Sequence, residues 1–181
     1  MRDHQRGDTS LTGNLPAELD GFVGRTSELS ALAAALDTSR LVTVTGTGGV
    51  GKSRLAARAA AGAAARDGVW RVELAPVRDP EFVDHALVEA LGLTDHTARP
   101  PREMLLGHLA SRELLLVLDG FEHLVQACAH LVVELLRGAP GLRVLAVGRR
   151  PLGVTCLFYT PDSVNDIHSV ALGGSRSVKK K

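Results

Sequence analysis

The sequence has few of the features that point to secretion, membrane insertion or general binding to polyanions. Its two cysteines, Cys128 and Cys156, are too few for a disulfide framework. It lacks an apolar run approaching the roughly 18 residues of a membrane span, and its start lacks the apolar stretch of a secretory signal. Lys and Arg number 21 against 20 Asp and Glu, so no strong field draws the chain to nucleic acid or anionic lipid. We therefore expect a cytoplasmic protein without a membrane partner.

Composition along the chain indicates one domain between two atypical ends. A chain of 181 residues is long enough for one domain with its own core. Residues 1–20 combine Gly, Pro, Asn and charges without a lasting period, which predicts a flexible leader. We expect the folded domain over residues 21–155 and a disordered tail over residues 156–181.

Short apolar segments alternate with segments of helical character. The apolar segments are LVTVT, VWRVEL, LLLVLD and LRVLAV, at residues 41–45, 69–74, 114–119 and 142–147. The uninterrupted Leu and Val of the third segment are typical of a parallel strand buried on both faces. Strands that alternate with helices pair in parallel through right-handed crossovers. The sequence therefore predicts an α/β fold of three layers around a parallel sheet.

A glycine-rich loop follows the first strand and precedes a helix. The loop fits the pattern G-x-x-x-x-G-K-[ST] at every fixed position. Such a P-loop turns backbone N–H groups towards phosphates, in conformations that a Cβ would obstruct. We expect Lys52 to reach the β- and γ-phosphates and Ser53 to place its hydroxyl on Mg²⁺. The residues predicted to bind the nucleotide here are Gly46, Thr47, Gly48, Gly49, Val50, Gly51, Lys52, Ser53 and Arg54.

Asp119 ends the strand made almost wholly of Leu and Val. An aspartate at this place is the expected second protein ligand of Mg²⁺, directly or through water. The alternative is an aspartate that caps the turn after the strand. Because VWRVEL lies between the loop and Asp119 in the sequence, we predict a P-loop sheet with an additional strand between the loop-bearing strand and the aspartate-bearing strand.

Two further residues are candidates for catalysis. Arg149 follows the LRVLAV strand, and ligands of an open parallel sheet gather where its strands end, so Arg149 is placed to sense the γ-phosphate. The alternative is a solvated arginine at a strand end. Glu122 is a carboxylate close after Asp119 that would polarise an attacking water, or else one favoured at a helix start by the helix dipole.

Four segments together resemble the STAND ATPases. They are FVGRTSEL (22–29), GTGGVGKS (46–53), LLLVLDGFEHLV (114–125) and PGLRVLAVGRRPLGV (140–154). Within that class the sequence is similar to the NB-ARC-like regulators of actinobacteria, which carry LuxR- or SARP-type DNA-binding domains and helical repeats. The resemblance implies that Val23, Gly24 and Arg25 lie near the adenine, that Asp119 is the Walker B acid and that Arg149 is the sensor arginine.

The sequence also departs from the family pattern. A polar residue is common where Gly120 stands, and a Thr-Ser pair where Val147 and Gly148 stand. From Cys156 the sequence no longer matches, although the family continues into a fifth strand, a helical domain and a winged-helix domain. We therefore expect these parts to be missing or replaced, which would expose the edge of LVTVT and favour self-association.

These observations predict a domain that binds ATP or ADP with Mg²⁺ and hydrolyses ATP slowly or not at all. If the domain is active, it is an ATPase. DNA would be contacted only through domains absent from this sequence. One alternative is a small phosphotransferase, which would need a lid that carries arginines. The arginines between Val69 and Ser111, which follow no pattern, are Arg71, Arg78, Arg99 and Arg102. The other alternative is a protein-interaction fragment with a vestigial site.

Overall fold

The computed structural model describes residues 13–16, 24–94, 98–154 and 167–172. The helices are α1 (Thr26–Thr38), α2 (Lys52–Ala61), α3 (Val83–Ala90), α4 (Pro101–Leu109) and α5 (Val125–Gly138), with a 3₁₀ turn at Pro80–Phe82. The strands are β1 (Leu41–Gly46), β2 (Val69–Glu73), β3 (Leu115–Asp119), β4 (Arg143–Gly148) and β5 (Ile167–Leu172). Among the described helices, none has both the length and the apolar character that crossing a membrane requires.

The five strands form one parallel sheet in the order β2, β3, β4, β1, β5. This arrangement confirms the predicted α/β fold. It also confirms an additional strand between β1, which leads into the P-loop, and β3, which ends in Asp119. That strand is β4; β2, which carries VWRVE, lies at the edge of the sheet although it comes between the two motifs in the sequence.

Helices cover both faces of the sheet, and each face has its own core. On one face α1 and α2 pack on alternate residues of the strands, including Val44, Val117 and Leu145. On the other face α3, α4 and α5 pack on the intervening residues, such as Leu116 and Val144. Central strands are therefore buried on both sides, which explains their continuous runs of Leu and Val.

Cys128 of α5 lies in the second of these cores, as a free and fully buried thiol. Burial raises its pKa to about 12, because the thiolate would lose its hydration. The thiol of Cys128 is therefore protonated and packed as an apolar side chain.

The expectation that the fifth strand is missing is wrong. Strand β5 pairs in parallel with the outer edge of β1 over its whole length, from Leu41 opposite Ile167 to Gly46 opposite Leu172. It therefore lies within residues 156–181, which were expected to be a disordered tail. An open strand edge leaves backbone N–H and C=O groups without partners, and β5 supplies those partners. Exposure of this edge consequently no longer supports self-association.

The sequence also offers residues 157–160 as a short edge strand, and these lie outside the described residues. The segment that pairs with β1 is Ile167–Leu172. Its Leu172 is buried with Val42, Val44 and Leu55 in the core under α1 and α2. Pairing and burial together explain why a sequence without the family pattern still completes the sheet.

Part of the expected leader also has a defined place. Gly13 forms a parallel bridge with Val69 at the outer edge of β2. The side chain of Asn14 accepts a hydrogen bond from the backbone N–H of Arg71 (2.5 Å) and donates to the carbonyls of Arg71 (2.9 Å) and Ala90 (3.2 Å). At these positions the asparagine amide takes the place of a strand neighbour at the edge of β2, and a flexible leader over residues 1–20 stays a prediction.

Candidate functional site

The P-loop connects the end of β1 to the start of α2. Gly49 and Gly51 have φ angles of 77° and 79°, in the left-handed region that glycine adopts without strain. Gly51 is the residue before the first turn of α2. Lys52 is only 9% exposed, and its ammonium donates to the carbonyl oxygen of Thr47 at 2.7 Å. The lysine is thus folded back over the loop, close to where the loop would hold phosphates.

Ser53 of the P-loop and Asp119 at the end of β3 are distant in the sequence but in contact in the structure. The hydroxyl of Ser53 donates to Oδ1 of Asp119 at 3.0 Å. Both are hard oxygen ligands, the kind that Mg²⁺ prefers. Their oxygens fit a metal ion that would also be bound by nucleotide phosphate, and such an ion would neutralise charge developing on the phosphates. Asp119 is 9% exposed, so this carboxylate is screened from bulk water.

Arg149 and Glu122 reach the same edge of the sheet. Arg149 follows β4, the strand between β1 and β3, so its position over the P-loop is a consequence of the strand order. A Cβ added to Gly48 would lie 3.3 Å from the Arg149 guanidinium. Oε1 of Glu122 accepts from the backbone N–H of Arg149 at 3.0 Å and lies 4.0 Å from its side-chain Nε. The structure therefore brings Arg149 to the loop and Glu122 to Arg149.

The two glycines that depart from the family pattern are explained by close contacts. A Cβ on Gly148 would lie 3.0 Å from the ring of Phe121, which is fully buried. Gly120 has a φ of 77°, and a Cβ there would lie 3.0 Å from the Cβ of Ala75. Neighbouring atoms occupy the space that a side chain would need at both positions. Gly120 therefore provides no carboxylate directly after Asp119.

Arg71 of β2 also contacts this site, which its sequence context does not predict. Its guanidinium contacts Oδ2 of Asp119 at 2.9 Å, while Oδ1 accepts from Ser53. Side-chain alternation places Val69 and Arg71 on the α2 face of the sheet, and the pairing of Glu73 with Asp119 sets the register. The available signal was an arginine between the apolar residues Trp70 and Val72 of a short strand, but its partner depends on which strand lies next to β2.

Other predicted nucleotide contacts are placed less closely. Val23 lies outside the described residues. Gly24 and Arg25 are exposed, have φ angles of 83° and 55°, and lead into α1, which packs against α2 and β5. Arg54 is exposed in the first turn of α2. A role for these residues at the adenine or the phosphates stays a prediction.

Comparison with known proteins decides the family. The sequence profile of the AAA domain matches residues 35–152, well over half of the chain. The chain belongs to the AAA domain family. The match contains the P-loop, Asp119 and Arg149.

Curated relatives of this AAA domain are much longer. A Mycobacterium tuberculosis protein named "Putative HTH-type transcriptional regulator" is 46% identical over 121 residues, which cover 67% of this chain and 14% of that protein. An uncharacterized protein of the same organism is 39% identical over 138 residues, which cover 75% of this chain and 35% of that protein. The chain thus spans 14% and 35% of the length of these two relatives.

Solved structures resemble the AAA domain in fold. The ORC2 protein of Aeropyrum pernix, determined in ADPNP-ADP complexes, has a TM-score of 0.58 and 16% identity, over 83% of this chain and 48% of that one. A STAND protein of Pyrococcus horikoshii with a tetratricopeptide repeat sensor has a TM-score of 0.52 and 15% identity, over 90% of this chain and 25% of that one. At these identities the likeness shows the fold alone.

Proposed function

We propose that this AAA domain binds ATP or ADP with Mg²⁺ and serves as the nucleotide-binding module of a STAND-type signalling ATPase in a transcriptional regulator. The observation that carries the proposal is the contact between Ser53 and Asp119 beside the loop that holds Lys52. The side chains proposed to bind phosphate and Mg²⁺ therefore lie close together. The name of the HTH-type relative supports the regulatory role, with DNA contacts made by other domains.

Hydrolysis by this domain is proposed to be slow. A hydrolase needs a group that orients or deprotonates the attacking water. Gly120 offers no side chain for this purpose, and Oε1 of Glu122 already accepts a hydrogen bond from the backbone of Arg149. Arg149 is 70% exposed at its side chain, so it is free to approach a γ-phosphate without leaving a buried position. These contacts favour a site that binds nucleotide and hydrolyses it slowly.

A phosphotransferase would need arginines that close over the transferred phosphate. Two of the four arginines considered for that role are already engaged in ion pairs within the protein. Arg71 contacts Asp119, and Arg102 contacts Asp84 and Glu134 at 2.8 and 2.5 Å. The ion pairs therefore favour the nucleotide-binding module over the small kinase.

The proposal is tested by thermal unfolding of wild type and Lys52→Ala, each without ligand, with Mg-ATP and with Mg-ADP. At about 100 times Kd a ligand adds roughly 2.7 kcal/mol to the free energy of unfolding. For a domain of this size the midpoint should rise by about 5 to 10 °C. Each variant is compared with its own ligand-free midpoint, because Lys52 also holds the loop through Thr47.

The expected result is a clear shift in wild type that is strongly reduced in Lys52→Ala. A matched control is Arg66→Gln, which removes a positive charge from a side chain that is 69% exposed, on a residue that follows α2. An equal shift in wild type and Lys52→Ala, or none in wild type, would contradict nucleotide binding. Rapid phosphate release that disappears in Asp119→Asn would contradict slow hydrolysis.

A further inference from the structure

The carboxylate of Asp119 is shared between two partners. One oxygen accepts from the Ser53 hydroxyl, and the other contacts the Arg71 guanidinium. The side chains of Arg71 and Asp119 are only 26% and 12% exposed, so water screens this pair incompletely. The expected metal-binding carboxylate therefore already has a positive counter-charge supplied by the protein.

Arg71 is also held at its backbone. The amide side chain of Asn14 bonds both the N–H and the carbonyl of Arg71 on the outer edge of β2. On its inner edge β2 pairs with β3, whose last residue is Asp119. The pairing of β2 with β3 and the bonds from Asn14 consequently fix the backbone positions of Arg71 and Asp119, which makes their ion pair a stable part of the site.

A counter-charge at this place changes how the site treats metal. Without a cation beside it, an ionised Asp119 would repel the phosphates of a nucleotide bound at the P-loop. Arg71 offsets this repulsion in the way that Mg²⁺ does. The same guanidinium opposes Mg²⁺, because a metal ion approaching Asp119 meets a like charge and has to share or displace the contact.

We propose that Arg71 sets the metal dependence of nucleotide binding: by neutralising Asp119 it lets the site hold a nucleoside diphosphate without Mg²⁺. This inference rests on the proposed nucleotide-binding function and deepens it. Arg71 acts here through Asp119 as a positioning and charge-balancing residue.

The test measures the Kd of a fluorescent ADP analogue in excess Mg²⁺ and in EDTA. Wild type should bind with similar affinity in both, within about 3-fold. In Arg71→Gln, binding in EDTA should weaken at least about 10-fold and Mg²⁺ should restore it, since close charge pairs couple with at least this strength. Arg71→Lys should stay near wild type because it keeps the charge.

Two further variants separate charge from structure. Arg66→Gln removes an exposed arginine that pairs only loosely with Asp67, at 3.8 Å, and should leave the metal dependence unchanged. In an Asp119→Asn background, Arg71→Gln should no longer weaken binding in EDTA, because no charge remains to be balanced. Ligand-free melts verify that each variant is folded at the assay temperature.

The outcomes distinguish the two proposals. If wild type binds the analogue and Arg71→Gln shows the same ratio of Kd in EDTA to Kd in Mg²⁺, the role of Arg71 is overturned and nucleotide binding stays intact. A wild type whose Kd in EDTA is 10-fold or more above its Kd in Mg²⁺ would have the same consequence. Absence of binding in either buffer would overturn both proposals.

Discussion

Removing the side chain of Leu172 tests whether residues 167–172 complete the sheet. Leu172 is 3% exposed and lies with Val42, Val44 and Leu55 in the core under α1 and α2. Truncating a buried leucine to alanine costs about 2 to 5 kcal/mol, and a strand at the sheet edge can relax towards the cavity. We therefore expect Leu172→Ala to lower the free energy of unfolding by about 2 to 3 kcal/mol, near the lower end of that range.

A second change tests the same strand from the other side. A Cβ added to Gly46 would lie 2.6 Å from the carbonyl oxygen of Leu172. This oxygen belongs to the backbone, so no rotamer change relieves the contact and β5 has to move. Gly46→Ala should cost about 1 to 3 kcal/mol, as overpacking does. Because both changes weaken the packing of β5 against its neighbours, the double variant should lose less than the sum.

Denaturant and thermal unfolding measure these effects. For a chain of this length, a loss of 2 to 3 kcal/mol should lower the melting temperature by roughly 5 to 10 °C. Phe82→Ala removes a large apolar side chain that is 57% exposed, and it serves as the control with a much smaller effect. If Leu172→Ala stays within about 0.5 kcal/mol of wild type, as surface substitutions do, then β5 does not form as described and the argument fails.

Three further changes test other parts of the structure. Arg102 joins α4 to carboxylates on α3 and α5 at 2.8 and 2.5 Å. Because its side chain is about a third exposed, Arg102→Met should lower the free energy of unfolding by only about 1 kcal/mol, and Arg102→Lys should lower it less. An unchanged denaturation midpoint in Arg102→Met would refute this. Cys128, with its pKa raised to about 12 by burial, should resist alkylation at pH 8 until the protein unfolds, and rapid labelling of its peptide in native buffer would contradict the burial. Burial, with a smaller contribution from Arg112, lowers the pKa of His108, so its contribution to stability is present above the unfolded pKa of about 6.5 and is lost as the pH falls below it. His108→Gln should therefore flatten the loss of stability between about pH 7 and 5 in denaturant titrations, and an identical slope would be evidence against it.

Much of the fold was predictable because its signals are local. Uninterrupted Leu and Val identified the buried strand that ends at Asp119, and the glycine pattern identified the P-loop with Lys52 and Ser53. Each signal depends on residues close together in the sequence. The rule that ligands gather where parallel strands end then placed Arg149 near the loop, which the strand order bears out.

The fifth strand was missed because its evidence is not local. The segment at Ile167–Leu172 carries no family motif, and its place depends on the open edge of β1 more than on its own composition. An edge that needs hydrogen-bond partners accepts many sequences, provided that one face carries apolar side chains. Asn14 was missed for a similar reason, since its partners Arg71 and Ala90 are distant in the sequence.

The sequence by itself determined the layered α/β fold, the glycine-rich P-loop and the residues proposed to bind Mg²⁺, because spacing and side-chain chemistry are properties of short segments. Only the tertiary structure decided that Arg71 shares the carboxylate of Asp119 with Ser53. That contact depends on the pairing of β2 with β3 and on its register. A shift of one residue would turn Arg71 to the opposite face of the sheet, away from α2.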